Sequence, residues 1–463
     1  MLTYEDFLAC NGDEKKEIEF IQSVIAEHVK SEDYLFAADA HAYYSGENPA
    51  IMRYEKLVYD MQGRAHVDMW TANHKIPSKF FGNVINQEVA YLLGNGVRFG
   101  KKDTKEKLGK KFDIRTMQVE KYARIAGQAF GFWNKDHLEV YKYLDLAPVY
   151  GEQDGAMMMG VRHWQIDPSK PLHVTFFRPD GYIELVQPKG EPMVVLKQLQ
   201  PYLVSRTRTR AGDVDIVSGR NYEKLPIVPM YANDEHRSIL RGRKNAIDAL
   251  DIARSGMVNN VSEGELIYWV LTNCGGMDDV DDAKFIERLR TMHVAHADGD
   301  AGATAEAHTI EAPIDGSKVT VDELKTTLYE DFQAFDPHAI TASNQSATAV
   351  RASYVPLDLK CDIEIEPQVT EFILGILDLV GIEDEPTYQR NQLINKLEET
   401  QTLVMQAEFL PEDYVMEKML AINGDIDRLE DIRRQIDADA EKRTRPVVNG
   451  LTDEPTGNGN EAE

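Results

Sequence analysis

Cysteine is scarce in this chain of 463 residues. Cys10, Cys274 and Cys361 lie far apart and form no CxxC or Cys/His ligand spacing, which argues against a structural zinc site and against a disulfide framework. Also missing is any run near the roughly 20 uncharged apolar residues that a membrane helix needs. Residues 1–10 lack the basic start and apolar stretch of a signal peptide, so the expectation is a soluble protein made in the cytoplasm. Positive charge is in deficit: 51 Lys and Arg stand against 78 Asp and Glu, a net −27 at pH 7. Such a chain is not built to bind nucleic acid by neutralising phosphates, and any DNA contact should be loose. No GxxxxGK[ST] phosphate cradle occurs. The glycine-rich run from Leu93 to Gly100 has neither the lysine nor the spacing, and a helix stop followed by a turn explains it better.

Several residues could carry chemistry, and each has a plainer reading. His293 and His296 form an HxxH, but no acidic residue falls in register and the flanking loop is soft, so no metal is expected there. Asp278, Asp279, Asp281 and Asp282 could offer oxygens to a hard cation. They lack the EF-hand pattern closed by a distal Glu, and acidic residues ahead of Ala283 suit a helix N-terminus. A metal-dependent enzyme using that cluster remains one alternative, and an acidic adaptor that binds other proteins is another. Met157, Met158 and Met159 are adjacent and read as strand packing, not as a cofactor box. Arg237, Arg241, Arg243 and Lys244 form a basic stripe that could meet DNA phosphates or a neighbouring subunit's acids, where a solvated face is the plainer reading. No carboxylate pair sits in a recognisable catalytic frame, and no cofactor is expected.

The pattern of apolar positions describes an α+β chain, mainly helical. Ile18, Ile21, Ile25 and Val29 recur at helical spacing over residues 14–30. Residues 77–93 read as a helix with Pro77 near its start and Gly94 past its end. Another helix runs from Phe112 to about Gly127, and then strands are expected at 130–133, 138–143, 161–164, 173–177, 182–186 and 193–196. The segment Leu225-Pro226-Ile227-Val228-Pro229 reads as a strand that two prolines keep out of a central position. A helix is expected from His236 to about Val261 and again from Val319 to near Pro337. Between them lies a small module with a strand at 266–271, a helix at 283–293 and a soft loop at 297–304. Residues 339–348 read as a mobile loop. The helical pattern after it should be kinked or broken at Pro356 and Pro367. Helices at 395–405, 411–420 and 426–440 precede a tail from Thr444 that should be disordered.

At this point the chain resembles a family, the portal proteins of siphophages. The likeness is carried by Tyr44-Ser45-Gly46, Asn73-His74-Lys75-Ile76-Pro77 and Tyr91-Leu92-Leu93-Gly94-Asn95-Gly96-Val97. It continues through the switch at 127–133, Val161-Arg162-His163-Trp164, Leu225 to Pro229, and Ile247-Asp248-Ala249-Leu250-Asp251 with Ser255. Residues 344–351 and Arg390-Asn391 with Asn395 complete it. The resemblance implies a non-enzymatic ring, expected to be a dodecamer, at a capsid vertex of the virion, assembled in the host cytoplasm. It implies a wing (1–235 and 350–394), a stem (236–262 and 319–335), a clip (263–318), a tunnel loop (336–349), a crown (395–440) and a tail (441–463). Its implied partners are copies of itself, the terminase large subunit, major capsid and scaffolding proteins, a head-completion adaptor, and double-stranded DNA passing through non-specifically; no membrane is implied. On this mapping Ser343, Asn344, Gln345, Ser346 and Thr348 face DNA. Tyr268, Trp269, Met277, Asp278 and Asp279 face the terminase, and Arg237, Arg241, Arg243 and Lys244 are stem contacts.

Overall fold

The structure is a computed structural model that describes residues 2–60, 62–69, 71–101, 103–208, 215–264, 267–272, 304–309, 314–340, 347–391, 396–423 and 428–444. It divides into two compact units, one comprising Met1–Thr341 with Ser353–Gln392 and the other Ala342–Ala352 with Leu393–Glu463. Both helix and sheet are present with helix in excess, so the expected α+β class holds. Among the described residues no helix is long and apolar enough to cross a membrane.

The first unit begins with α1 (Tyr4–Leu8) and α2 (Glu14–Lys30), the latter within the bounds its periodicity gives. Their apolar faces, Phe7, Phe20, Ile21 and Val24, pack on Val149, Val161, Val174 and Phe176 of an antiparallel sheet. That sheet is a meander of β6 (Leu146–Tyr150), β7 (Met157–Trp164), β8 (Leu172–Arg178), β9 (Gly181–Gln187) and β10 (Val194–Gln200), paired in chain order. The three methionines open β7, as expected.

A second core gathers α3 (Glu32–Ser45), α5 (Phe80–Leu93) and α7 (Phe112–Ala126) around Tyr43, Phe81, Ile85 and Ile125. The short α4 (Pro49–Met52) and the β1 (Leu57–Tyr59) and β2 (Ala65–Val67) ribbon lie between α3 and α5 in the chain. Helix α7 ends at Gly127, whose φ of +100° lies in the left-handed half of the map that favours glycine. A Cβ there would sit 2.6 Å from the His236 carbonyl oxygen, so the turn into β4 (Gln128–Asn134) requires this residue. Strand β4 pairs on one side with β5 (His137–Lys142) and on the other with β13 (Ile227–Tyr231), which is therefore an edge strand, as Pro226 and Pro229 require. Three further pairings escape the sequence pattern: β1 with β2, β3 (Val97–Phe99) with β16 (Pro386–Tyr388), and β11 (Leu203–Arg208) with β12 (Asp215–Arg220).

Three expectations are corrected. The helix expected from His236 begins only at Lys244 and runs as α8 (Lys244–Gly264), because His236 and Gly242 take φ of +56° and +84° and hold 236–243 in turns. Its partner α9 (Ile314–Asp331) starts and ends earlier than expected, and β14 (Ile267–Thr272) pairs with β15 (Thr304–Thr309), where no strand was expected. Of the kink or break expected at Pro356 and Pro367, the break does not occur. The later helix continues as α10 (Ala347–Lys360), a π turn at Cys361–Ile365, and α11 (Glu366–Val380), with Pro367 in the first turn of α11, where a missing N–H costs little. The Glu366 N–H reaches back to the Cys361 carbonyl, the wider π pattern that absorbs the irregularity.

The second unit contains the first turns of α10 and then α12 (Lys396–Gln406), α13 (Glu412–Asn423) and α14 (Leu429–Thr444). An Arg433 to Asp413 ion pair of 3.1 Å links α14 to α13. The tail beyond Thr444 and the helix expected at 283–293 lie outside the described residues.

Candidate functional site

The segment of interest is the pair α8 and α9, which frames everything between residues 264 and 314. Ile247 and Leu250 of α8 and Val321, Leu328 and Phe332 at α9 enter the same buried core, so an apolar stripe seats the pair on the first unit. A neighbouring stripe of α8 is polar: Asp248, Asp251, Ser255, Asn259 and Ser262 recur at three- and four-residue spacing and therefore share a side of the helix. Each has a partner from the N-terminal part of the chain. Tyr43 donates its hydroxyl to Asp248, and Asn48 donates to Asp251. The Ser78 N–H reaches Asp251 at 2.8 Å, the Ile76 N–H reaches Ser255 Oγ at 3.0 Å, and the His74 N–H reaches Asn259 Oδ1 at 2.7 Å. Ser262 Oγ meets His74 Nε2 at 3.3 Å. Residues 74–78 are thus an extended strap fastened along α8. This explains why α5 starts at Phe80 and not at Pro77: the Ser78 backbone is already committed, its carbonyl to Asn48. Burial raises the Asp251 carboxyl above its ordinary value, with Asn48 and Ser78 opposing.

Beneath the π turn lies a buried ion network. Arg124 is fully enclosed; its Nη2 lies 2.8 Å from Glu88, its Nη1 donates to the Ala232 carbonyl at 2.7 Å, and it also pairs with Glu364 of the π turn. Lys360 reaches Glu88 at 2.5 Å and the Phe332 carbonyl at 2.8 Å. Glu120 stands one turn from Arg124 on α7, at 4.0 Å. Burial alone would raise Glu88, but Arg124 and Lys360 outweigh it and hold that carboxyl below its usual range. Burial lowers Lys360, with Glu88 opposing. Glu120 goes the other way: burial, only partly countered by Arg124, pushes it up to about 8. Arg124 and Lys360 thus face Glu88 and Glu364 in one buried cluster, with Glu120 as the acid that burial holds toward its neutral form. The network ties α5, α7, the π turn and the end of α9 together, and because its groups are spent on one another it positions elements and leaves Glu364 as its only partly exposed carboxylate.

The structure disperses the residues expected from sequence. Arg241 is held by Glu32 and Asp33 at 3.0 and 2.9 Å. Arg243 donates to the Asp331 carbonyl at 2.8 Å, which closes the C-terminal end of α9, and Lys244 stands 3.8 Å from Asp248. Arg237 makes an exposed 3.7 Å pair with Glu235. These four cations flank a series of turns and do not form one helical stripe. Tyr268 and Trp269 lie on β14, opposite His308 and Ala307 of β15. Thr348 is in the first turn of α10. Ser343, Asn344, Gln345, Ser346, Met277, Asp278, Asp279, Asp281, Asp282, His293 and His296 lie outside the described residues. Among the described residues no group of His, Cys, Asp and Glu is placed to hold a metal ion. Sequence reasoning missed the strap and the ion network. Their signal was present as charged or polar residues at helical spacing inside apolar faces: Glu88 beside Ile85 and Val89, and Asp251 beside Ile247 and Leu250.

Comparison with known proteins adds the following. The family described as "Phage portal protein, SPP1 Gp6-like" matches residues 27–442. A portal protein of Clostridium phage phiCD119 is 22% identical over 432 residues, covering 86% of this chain and 92% of that protein. A portal protein of Bacillus phage SPP1 is 24% identical over 350 residues, covering 69% of this chain and 65% of that protein.

Proposed function

The chain belongs to the SPP1 Gp6-like family of phage portal proteins, and from this membership we propose that it is one subunit of a ring at a capsid vertex, through which double-stranded DNA is packaged and later leaves. The observation that carries the reading is the family match, which runs from residue 27 to 442 and so spans both compact units. The work is mechanical and not enzymatic: the ring guides and retains DNA while a separate motor moves it. A surplus of carboxylates suits this, because a duplex does not stick to a like-charged wall.

In this reading the stem is residues 236–262 and 319–335, which α8 and α9 overlap without matching their bounds. Residues 263–318 are the clip, which meets the terminase large subunit and afterwards the head-completion adaptor through Tyr268, Trp269, Met277, Asp278 and Asp279. Residues 336–349 form the tunnel loop, where Ser343, Asn344, Gln345, Ser346 and Thr348 touch the DNA backbone without reading bases. Residues 1–235 and 350–394 are the wing, against which major capsid and scaffolding proteins assemble, and 395–440 the crown. Attachment of the proposed stem to elements of the proposed wing supports this reading: the strap fastens α8, and Lys360 holds the Phe332 carbonyl just past α9.

A head-to-tail ring needs two different patches on each chain. Two exposed apolar patches suit that role with a second copy as occupant. One is the β1 and β2 ribbon, where Tyr59 is 71% exposed and Leu57, Val58 and Val67 are also uncovered. The other is the line Val355, Leu359 and Ile363, four residues apart on the α10 and π stretch, with Ile363 76% exposed. An isolated two-stranded ribbon is marginal in water, so a covering neighbour would stabilise it.

Deleting residues 343–346 tests the proposal in an infection. Particles should assemble but package poorly or lose DNA. A normal yield of full particles would overturn the tunnel-loop assignment.

A further inference from the structure

One stretch runs against the charge of the whole chain. Residues 101–115 hold six Lys and one Arg against three carboxylates, a net +4, in a protein whose net charge is −27. They build the helix α6 (Thr104–Leu108), the turn at Gly109 and the start of α7. Two of these lysines are matched internally, Lys105 with Asp113 and Lys107 with Asp103, both at 2.8 Å. Lys101 donates to the Glu383 carbonyl and forms no carboxylate ion pair among the described residues. Lys110 and Lys111 are exposed, and among the described residues no carboxylate lies within ion-pair distance of either. Leu108 and Phe112 are buried below them, so the ridge presents ammonium groups in excess of its exposed carboxylates Asp103 and Glu106. A hollow of about 600 Å³ opens on one side, lined by Lys105, Glu106, Lys110 and Asp113. Another of about 440 Å³ opens on the other, lined by Lys110, Lys111, Arg115, Asp136 and His137.

We propose that this lysine ridge is a docking surface for the phosphate backbone of double-stranded DNA, separate from the tunnel loop. Its chemistry fits a polyanion of high charge density read without sequence. Lysine is a point charge with no preferred fork geometry, and unmatched point charges spaced along a ridge release counterions from a duplex wherever its phosphates fall. An acidic protein surface carries fewer charges per length and would gain less. The inference uses the portal reading only for the presence of DNA, and it stands or falls separately from it.

The test is binding of a fluorescent 30-base-pair duplex of arbitrary sequence to the full chain, followed by anisotropy at 50 to 200 mM NaCl. With about three phosphates engaged, the slope of log affinity against log salt should be about −2.7, so that this rise in salt weakens binding roughly 40-fold. Lys110→Glu/Lys111→Glu should lower affinity at 50 mM at least 10-fold and flatten the slope to about −1. Lys15→Glu/Lys16→Glu, an equal change in net charge on exposed α2, should change affinity less than 2-fold. Equal losses in both variants, or no binding by the wild type at 50 mM, would overturn the proposal. So would displacement of the duplex by poly-glutamate at the same concentration of charge. Negative-stain images of the ridge variant should still show the wild-type assembly, which keeps failure here distinct from failure of the portal assignment.

Discussion

Glu120→Gln should remove a pH dependence of folding stability that the wild-type chain carries. Glu120 is fully buried, one oxygen has no partner, and burial raises its pKa from 4.5 to about 8. The folded state therefore holds this proton more tightly than the unfolded chain does. Stability from that preference is complete below pH 4.5 and is lost as pH rises through about 8. At about 1.4 kcal/mol per pH unit, the whole interval amounts to roughly 5 kcal/mol, and the step from pH 6 to pH 8 to roughly 2 kcal/mol. Glutamine has the shape of the protonated acid and cannot ionise, so the variant should lack this slope and be the more stable protein at pH 8.5. The groups facing Glu120 (Arg124, Glu88, Glu364 and Tyr388) are unchanged, as are the buried histidines, so the difference between the two proteins isolates this carboxyl. The assay is urea unfolding by tryptophan fluorescence from pH 6 to 9, at one protein concentration, because assembly makes apparent stability depend on concentration. Parallel curves for wild type and variant would refute the reasoning.

Asp251→Ala should cost about 2–4 kcal/mol, because it strands the buried Asn48 amide and the Ser78 N–H; protease sensitivity in the 74–78 strap should rise with it, and Asp251→Asn should retain more of the stability. Gly127→Ala should cost about 2 kcal/mol or more, read as a lower unfolding midpoint, since the new Cβ would collide with the 236–237 backbone at a φ that alanine disfavours. An unchanged midpoint in either variant would contradict the contact it was chosen to break.

Local order was legible where local forces decide it. Helix α2 matches its apolar spacing, α5 and α7 stop at their glycines, and Pro226 and Pro229 place β13 at an edge. What escaped depends on partners distant in sequence. The start of α8 yields to the turns at His236 and Gly242, and β15, with the sequence Thr-Ala-Glu-Ala-His-Thr, is a strand because β14 pairs with it and not because of its own propensity. Pro367 looked like a helix breaker because a π turn ahead of it leaves no mark in apolar periodicity. The strap and the Glu88, Arg124 and Lys360 network join residues some 30 to 270 positions apart, and a single sequence does not pair such groups. The family likeness was nonetheless carried by the same segments, since Tyr44 to Gly46, Asn73 to Pro77 and Ile247 to Ser255 surround the strap.

Whether this chain closes into a portal ring is read from negative-stain electron microscopy of the purified protein. Closed rings with an axial hole are expected, with a mass near twelve times the 52.4 kDa chain by light scattering of the same sample. A monodisperse monomer or dimer at micromolar concentration, across pH and salt, would contradict ring closure.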